Sequence, residues 1–120
     1  MMNENLTKVI ALLLILIGES IAIYAEISGA KLNSINNSNF AGIFIKMFLI
    51  ITASGILLLL GYTLGFSSFR NIWVISVISI TAIIIVEPII AYTIFKQFPT
   101  KGAIMGFILG IIGILFSIFY

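Results

Sequence analysis

Four long apolar runs divide the chain, and polar residues collect mainly in the gaps between them. The first run covers 6–30 and is interrupted by Glu19 and Glu26. The second covers 40–66, with Lys46 near its start. The third covers 72–95 and contains Glu87-Pro88, and the fourth covers 102–120 with no charge at all. A hydrocarbon core of about 30 Å takes about 20 apolar residues of helix to cross, and even the fourth run comes within a residue or so of that. Transmembrane β-strands show alternating polarity over about 10 residues, whereas these runs are continuous and roughly twice as long. In lipid, a continuous run satisfies its own backbone groups only as a helix. The pattern therefore predicts an all-α membrane protein, a single domain of four transmembrane helices joined by short loops, in an antiparallel bundle. The expected connections lie at 31–39, which is rich in Asn and Ser, at 67–71, and at 96–101, where Pro99 marks the start of the last helix.

Composition agrees with this reading and narrows what the chain can do. Of its 120 residues, 62% are hydrophobic and only 8% charged, against about 25% charged in a soluble domain. The net charge of +2 comes from scattered single residues, so no nucleic-acid partner is expected. The absence of Cys and His removes thiol chemistry, the commonest metal ligands and the commonest general base. No metal or cofactor site and no enzymatic activity are expected. A cleaved signal peptide is disfavoured, because Glu19 abuts the small-residue stretch Ser20-Ile21-Ala22 and the apolar run resumes beyond it. Lys31, Lys46, Lys96 and Lys101 fall toward one side of the bundle and Lys8 and Arg70 toward the other. This excess favours the first and third loops in the cytoplasm and both termini outside; the membrane expected is the cytoplasmic membrane of a prokaryote.

Charges at membrane depth cost a few kcal/mol each and face a cavity or a partner. Glu19 lies near the middle of the first helix. Glu87 lies in the third, and counting back from Lys31 and Lys96 puts the two carboxyls within about 5 Å in depth. They are expected to share one cavity. Such a carboxyl can hold a proton or exchange it for a cation, the minimum machinery of a proton-coupled transporter. Glu26 and Lys46 fall at similar depth on adjacent helices and are expected to form a structural ion pair. Pro88 removes a backbone hydrogen bond and is expected to kink the third helix.

The last helix carries Gly102, Gly106, Gly110 and Gly113, a small-residue ridge suited to close helix packing, within the chain or against a second copy. Trp73 and Tyr120 fall near helix ends, where aromatic residues anchor at the headgroup level. Tyr24, five residues after Glu19, and Tyr62 are candidates to line a cavity.

Taken together, these residues resemble the small multidrug resistance transporters of the drug/metabolite transporter superfamily. Glu19, in Ile17-Gly18-Glu19-Ser20, stands where that family has its proton- and substrate-binding glutamate. Tyr62 and Trp73 bracket the entry to the third helix at about the family's spacing, and Gly106 and Gly113 match its dimerisation glycines. The C-terminal half is similar to half of an EamA-type member, through Glu87-Pro88-Ile89-Ile90-Ala91, Phe98-Pro99-Thr100, Gly106 and Gly113. The resemblance implies proton-coupled export of cationic or amphipathic molecules by a dimer, either a homodimer or a heterodimer with a related chain. The sequence departs from the pattern in having Ser76 and Ser79 near the place of a helix-kinking glycine pair, and in carrying Glu26, Lys46 and Glu87. Two other readings stand beside the transporter: a subunit of a lipid-linked sugar flippase, and a non-transporting membrane assembly subunit.

Overall fold

The computed structural model describes residues 3–35 and 39–120. Four helices account for nearly all of them: α1 (Glu4–Asn33), α2 (Phe40–Phe69), α3 (Ile72–Phe95) and α4 (Lys101–Phe119). All four are long and apolar enough to cross a membrane. The third coincides with the expected run, and α4 is displaced by one residue. α1 and α2 are longer than their apolar runs, because Lys31, Leu32 and Asn33 continue α1 and Ser67, Ser68 and Phe69 continue α2. Of the expected first connection, positions 36–38 lie outside the described residues.

Each helix starts on a side-chain cap that supplies an acceptor to an otherwise unpaired backbone donor. Asn3 accepts from the Asn5 amide, Asn39 from Gly42, Asn71 from Trp73 and Thr100 from Ala103. α2 and α3 end on left-handed residues, Arg70 at φ 60° and Lys96 at φ 58°. The Arg70 amide donates to the Phe66 carbonyl and the Lys96 amide to that of Tyr92. Arg70 thus closes α2 while Asn71 opens α3, a connection of two residues.

The buried seam lies between α1 and α2. Ala11, Ile15, Gly18, Ala22, Ala25 and Gly29 are all buried and alternate at spacings of four and three residues along α1. On α2 the buried residues Met47, Ser54, Gly61 and Ser68 recur every seven. This is the period of two helices in sustained side-by-side contact, and small side chains let the backbones approach closely. The contacts pair off in opposite order along the two helices: Ile15 with Gly61, Gly18 with Leu58, Gly29 with Met47. α3 packs on this pair through Ile75, Ser79 and Ala82, with Ile75 against Gly65.

The fourth helix departs from a closed bundle. Among the described residues it packs on α3 alone, touching neither α1 nor α2, and it buries no residue. Of its glycines, Gly110 meets the end of the Ile84 side chain on α3, whereas Gly102, Gly106 and Gly113 face open space. The result is a flat molecule of 51 × 35 × 17 Å: a three-helix unit with α4 attached along one edge.

Candidate functional site

Glu19 lies midway along α1, half-buried against α3. The hydroxyl of Ser79, itself buried on α3, donates to its Oε1 at 2.5 Å. Among the described residues no cation pairs with this carboxylate, since the one ion pair within 4.0 Å joins Lys8 to Glu4 near the start of α1. Ser20, the next residue, turns its hydroxyl back onto the Leu16 carbonyl and leaves Ser79 as the hydrogen-bond partner of Glu19. Sequence reasoning had noted Ser79 only where the resemblance fails. Nothing in the letters separates it from Ser76, Thr81 or Thr93 of the same helix.

Glu87 does not share this site. It lies eight residues past Ser79, about 12 Å along α3, and lines a recess of about 250 Å³ with Ala103 and Phe107 of α4 and Gln97 and Pro99 of the connection. The expected common cavity fails for two reasons. The level of Glu19 is set by Ser79, deeper than the end-to-end count implied, and Glu87 turns toward α4 rather than α1. Pro88, within α3, lines the same recess.

The expected Glu26–Lys46 ion pair is likewise absent among the described residues. Met47 sits over Gly29 on the α1–α2 seam, and the two charges fall on opposite sides of it. Glu26 lines one recess with Phe44 and Phe48. Lys46 lines another with Tyr24, Ser28 and Lys31. At 100° per residue, Lys46 and Phe48 diverge by equal angles from Met47, so similar depth did not bring the charges together.

The aromatic candidates also separate. Tyr24 belongs to the Lys31–Lys46 recess. Tyr62 is half-buried on α2. Trp73 is 76% exposed and stands beside a groove of about 760 Å³ bounded by Leu12 of α1, Val77 and Thr81 of α3, and Ser117 of α4. This groove exists because α4 stands off from α1. Leu12 precedes Glu19 by seven residues, nearly the same helical face, and Thr81 follows Ser79 by two. Two residues is about 200° of turn, so the groove lies on a different side of α3 from Ser79, and Glu19 does not line it.

Comparison with protein families, with curated proteins and with solved structures finds no match. What defines the molecule is thus its own architecture: a multi-pass membrane protein in which, among the described residues, Glu19 at the middle of α1 is hydrogen-bonded to α3 and has no cation partner.

Proposed function

We propose that this chain is a small membrane transporter that exchanges protons for cationic or amphipathic molecules, with Glu19 as the group that binds each in turn. One observation carries the reading. A carboxylate at the midpoint of a membrane-spanning helix has a hydroxyl for its partner and, among the described residues, no cation within ion-pair distance. Charges at that depth are costly and commonly mark ion or substrate pathways. The Ser79 hydroxyl can donate to the ionised carboxylate or accept from the protonated acid, so it serves both states of an exchange cycle. The open face of Gly102, Gly106 and Gly113 offers a second chain a close approach. The resemblance to small multidrug resistance and EamA-type transporters, and location in a prokaryotic cytoplasmic membrane, belong to this proposal.

The test is flux in reconstituted vesicles under a pH gradient, with guanidinium and quaternary ammonium cations as substrates. Glu19→Gln abolishes proton-coupled flux while the protein still inserts. Full coupled flux in that variant would refute the assignment.

The Glu19–Ser79 hydrogen bond also favours a second reading, a non-transporting assembly subunit, because it ties α1 to α3 directly. There the wild type carries no flux for any cation, and Glu19→Gln alters only the yield of the assembled complex.

A further inference from the structure

The recess on the α3 side of the α1–α2 seam has a composition unlike the rest of the molecule. Lys31 and Lys46 both line it, and no acid does. Glu26, the nearest acid along α1, lies across the seam in a different recess. The Lys31 ammonium donates to the Ile94 carbonyl at 2.6 Å, which fixes it over the end of α3 and leaves two of its three hydrogens available. Lys46 has no ion-pair or hydrogen-bond partner among the described residues.

Ser28 supplies the decisive observation. It lines the same recess and is only 9% exposed. The other buried serines are all satisfied: Ser54 and Ser68 donate to carbonyls of their own helix and Ser79 to Glu19. Ser28 forms no hydrogen bond within the described residues. The hydroxyl is not sealed from the surface and opens, unpaired, on the recess that the two lysines line.

The depth of the recess selects its occupant. The 30 residues of α1 make a rod of about 45 Å, which overhangs a hydrocarbon core of about 30 Å by about 7 Å at each end. Ser28 lies five residues from the end of α1 and Lys46 six from the start of α2, so both sit about 7–9 Å below the helix ends. That is the boundary between acyl chains and headgroups. The remaining wall, Met47, Ile50 and Ile94, is apolar.

We infer that Lys31, Lys46 and Ser28 hold the phosphate of an anionic phospholipid, with its acyl chains lying along Ile50 and Ile94. Basic recesses between membrane helices bind anionic headgroups in this way. Glu19 takes no part, so the site is independent of the transport reading. It also gives Tyr24 a place in the wall of a lipid site rather than beside the exchanging carboxylate.

The experiment uses the full chain reconstituted in equal parts of phosphatidylcholine and phosphatidylglycerol, re-extracted in detergent, with retained lipid counted by native mass spectrometry. The wild type retains phosphatidylglycerol over phosphatidylcholine. Lys46→Gln lowers that preference about fivefold, Lys46→Arg restores it, and Ser28→Ala weakens it without loss of charge. Lys8→Gln, at the opposite end, leaves it intact and shows that net charge is not the cause. Equal retention of both lipids by the wild type would overturn the site. So would an unchanged preference in both Lys46→Gln and Ser28→Ala, or full displacement of the lipid by excess inorganic phosphate.

Discussion

Gly61 of α2 stands so close to Ile15 of α1 that a Cβ at Gly61 would lie 2.8 Å from Ile15 Cγ1 and 3.2 Å from the Ile15 backbone nitrogen. Neither atom is the free end of a flexible chain, so accommodating a methyl group requires the helices to part. Gly61→Ala is expected to destabilise the protein by about 1–3 kcal/mol, measured by reversible unfolding in mixed micelles. In micelles dilute enough to hold single chains, Gly106→Ala and Gly113→Ala, which meet nothing within 4 Å, are expected to be neutral or to stabilise α4 by up to about 1 kcal/mol, because alanine is the better helix former. A loss at Gly106 or Gly113 equal to that at Gly61 would contradict the observed packing.

The Glu19–Ser79 contact predicts energetic coupling between the two positions. In a double-mutant cycle with Glu19→Gln and Ser79→Ala, the interaction energy should fall at about 0.5–1.5 kcal/mol, the range for hydrogen bonds between membrane helices. Additive effects at these two sites would mean that the bond contributes nothing to stability.

The separation of Glu26 from Lys46 predicts the opposite result. Glu26→Gln and Lys46→Gln should add within about 0.5 kcal/mol, as for residues that share no partner. A coupling well above that would restore the ion pair expected from depth alone.

Lys31 closes α3 from outside that helix, by donating to the Ile94 carbonyl. A cation at a helix C-terminus contributes up to about 1 kcal/mol. Lys31→Met should therefore speed amide exchange in the last turn of α3 about fivefold, read by hydrogen–deuterium exchange, and leave the first turns of α3 unaffected. Lys31→Arg should preserve protection.

The helices were legible in the sequence because lipid imposes a simple rule: a run that crosses must be continuous and apolar, and 72–95 became α3 residue for residue. The interior was harder to read. Glycines in α4 drew the eye because they stand in an otherwise bulky helix, yet the close packing within the chain falls on the four-three alternation of Ala11, Ile15, Gly18, Ala22, Ala25 and Gly29. That register was visible in the letters but is carried by alanine as much as by glycine. Charge partners were misjudged for a different reason. Depth can be counted along a chain, but the side of a helix that faces a neighbour depends on which neighbour is present. Met47 sits on the seam and sends Lys46 and Glu26 apart, and α4 lies along the side of α3 to which Glu87 turns.

The attachment of α4 to α3 alone has a further consequence, which comes from length. The 19 residues of α4 make about 28 Å of helix, while α1 and α2 at 30 residues each make about 45 Å. The longer pair can tilt or let its polar ends reach water across a wide range of bilayers, but α4 has no length in reserve. Hydrophobic mismatch costs fractions of a kcal/mol per Å, and in a thick membrane that cost falls on α4, the helix with the fewest protein contacts to oppose it. The position of α4 against α3, and with it the width of the groove beside Trp73, is thereby coupled to the thickness of the surrounding lipid.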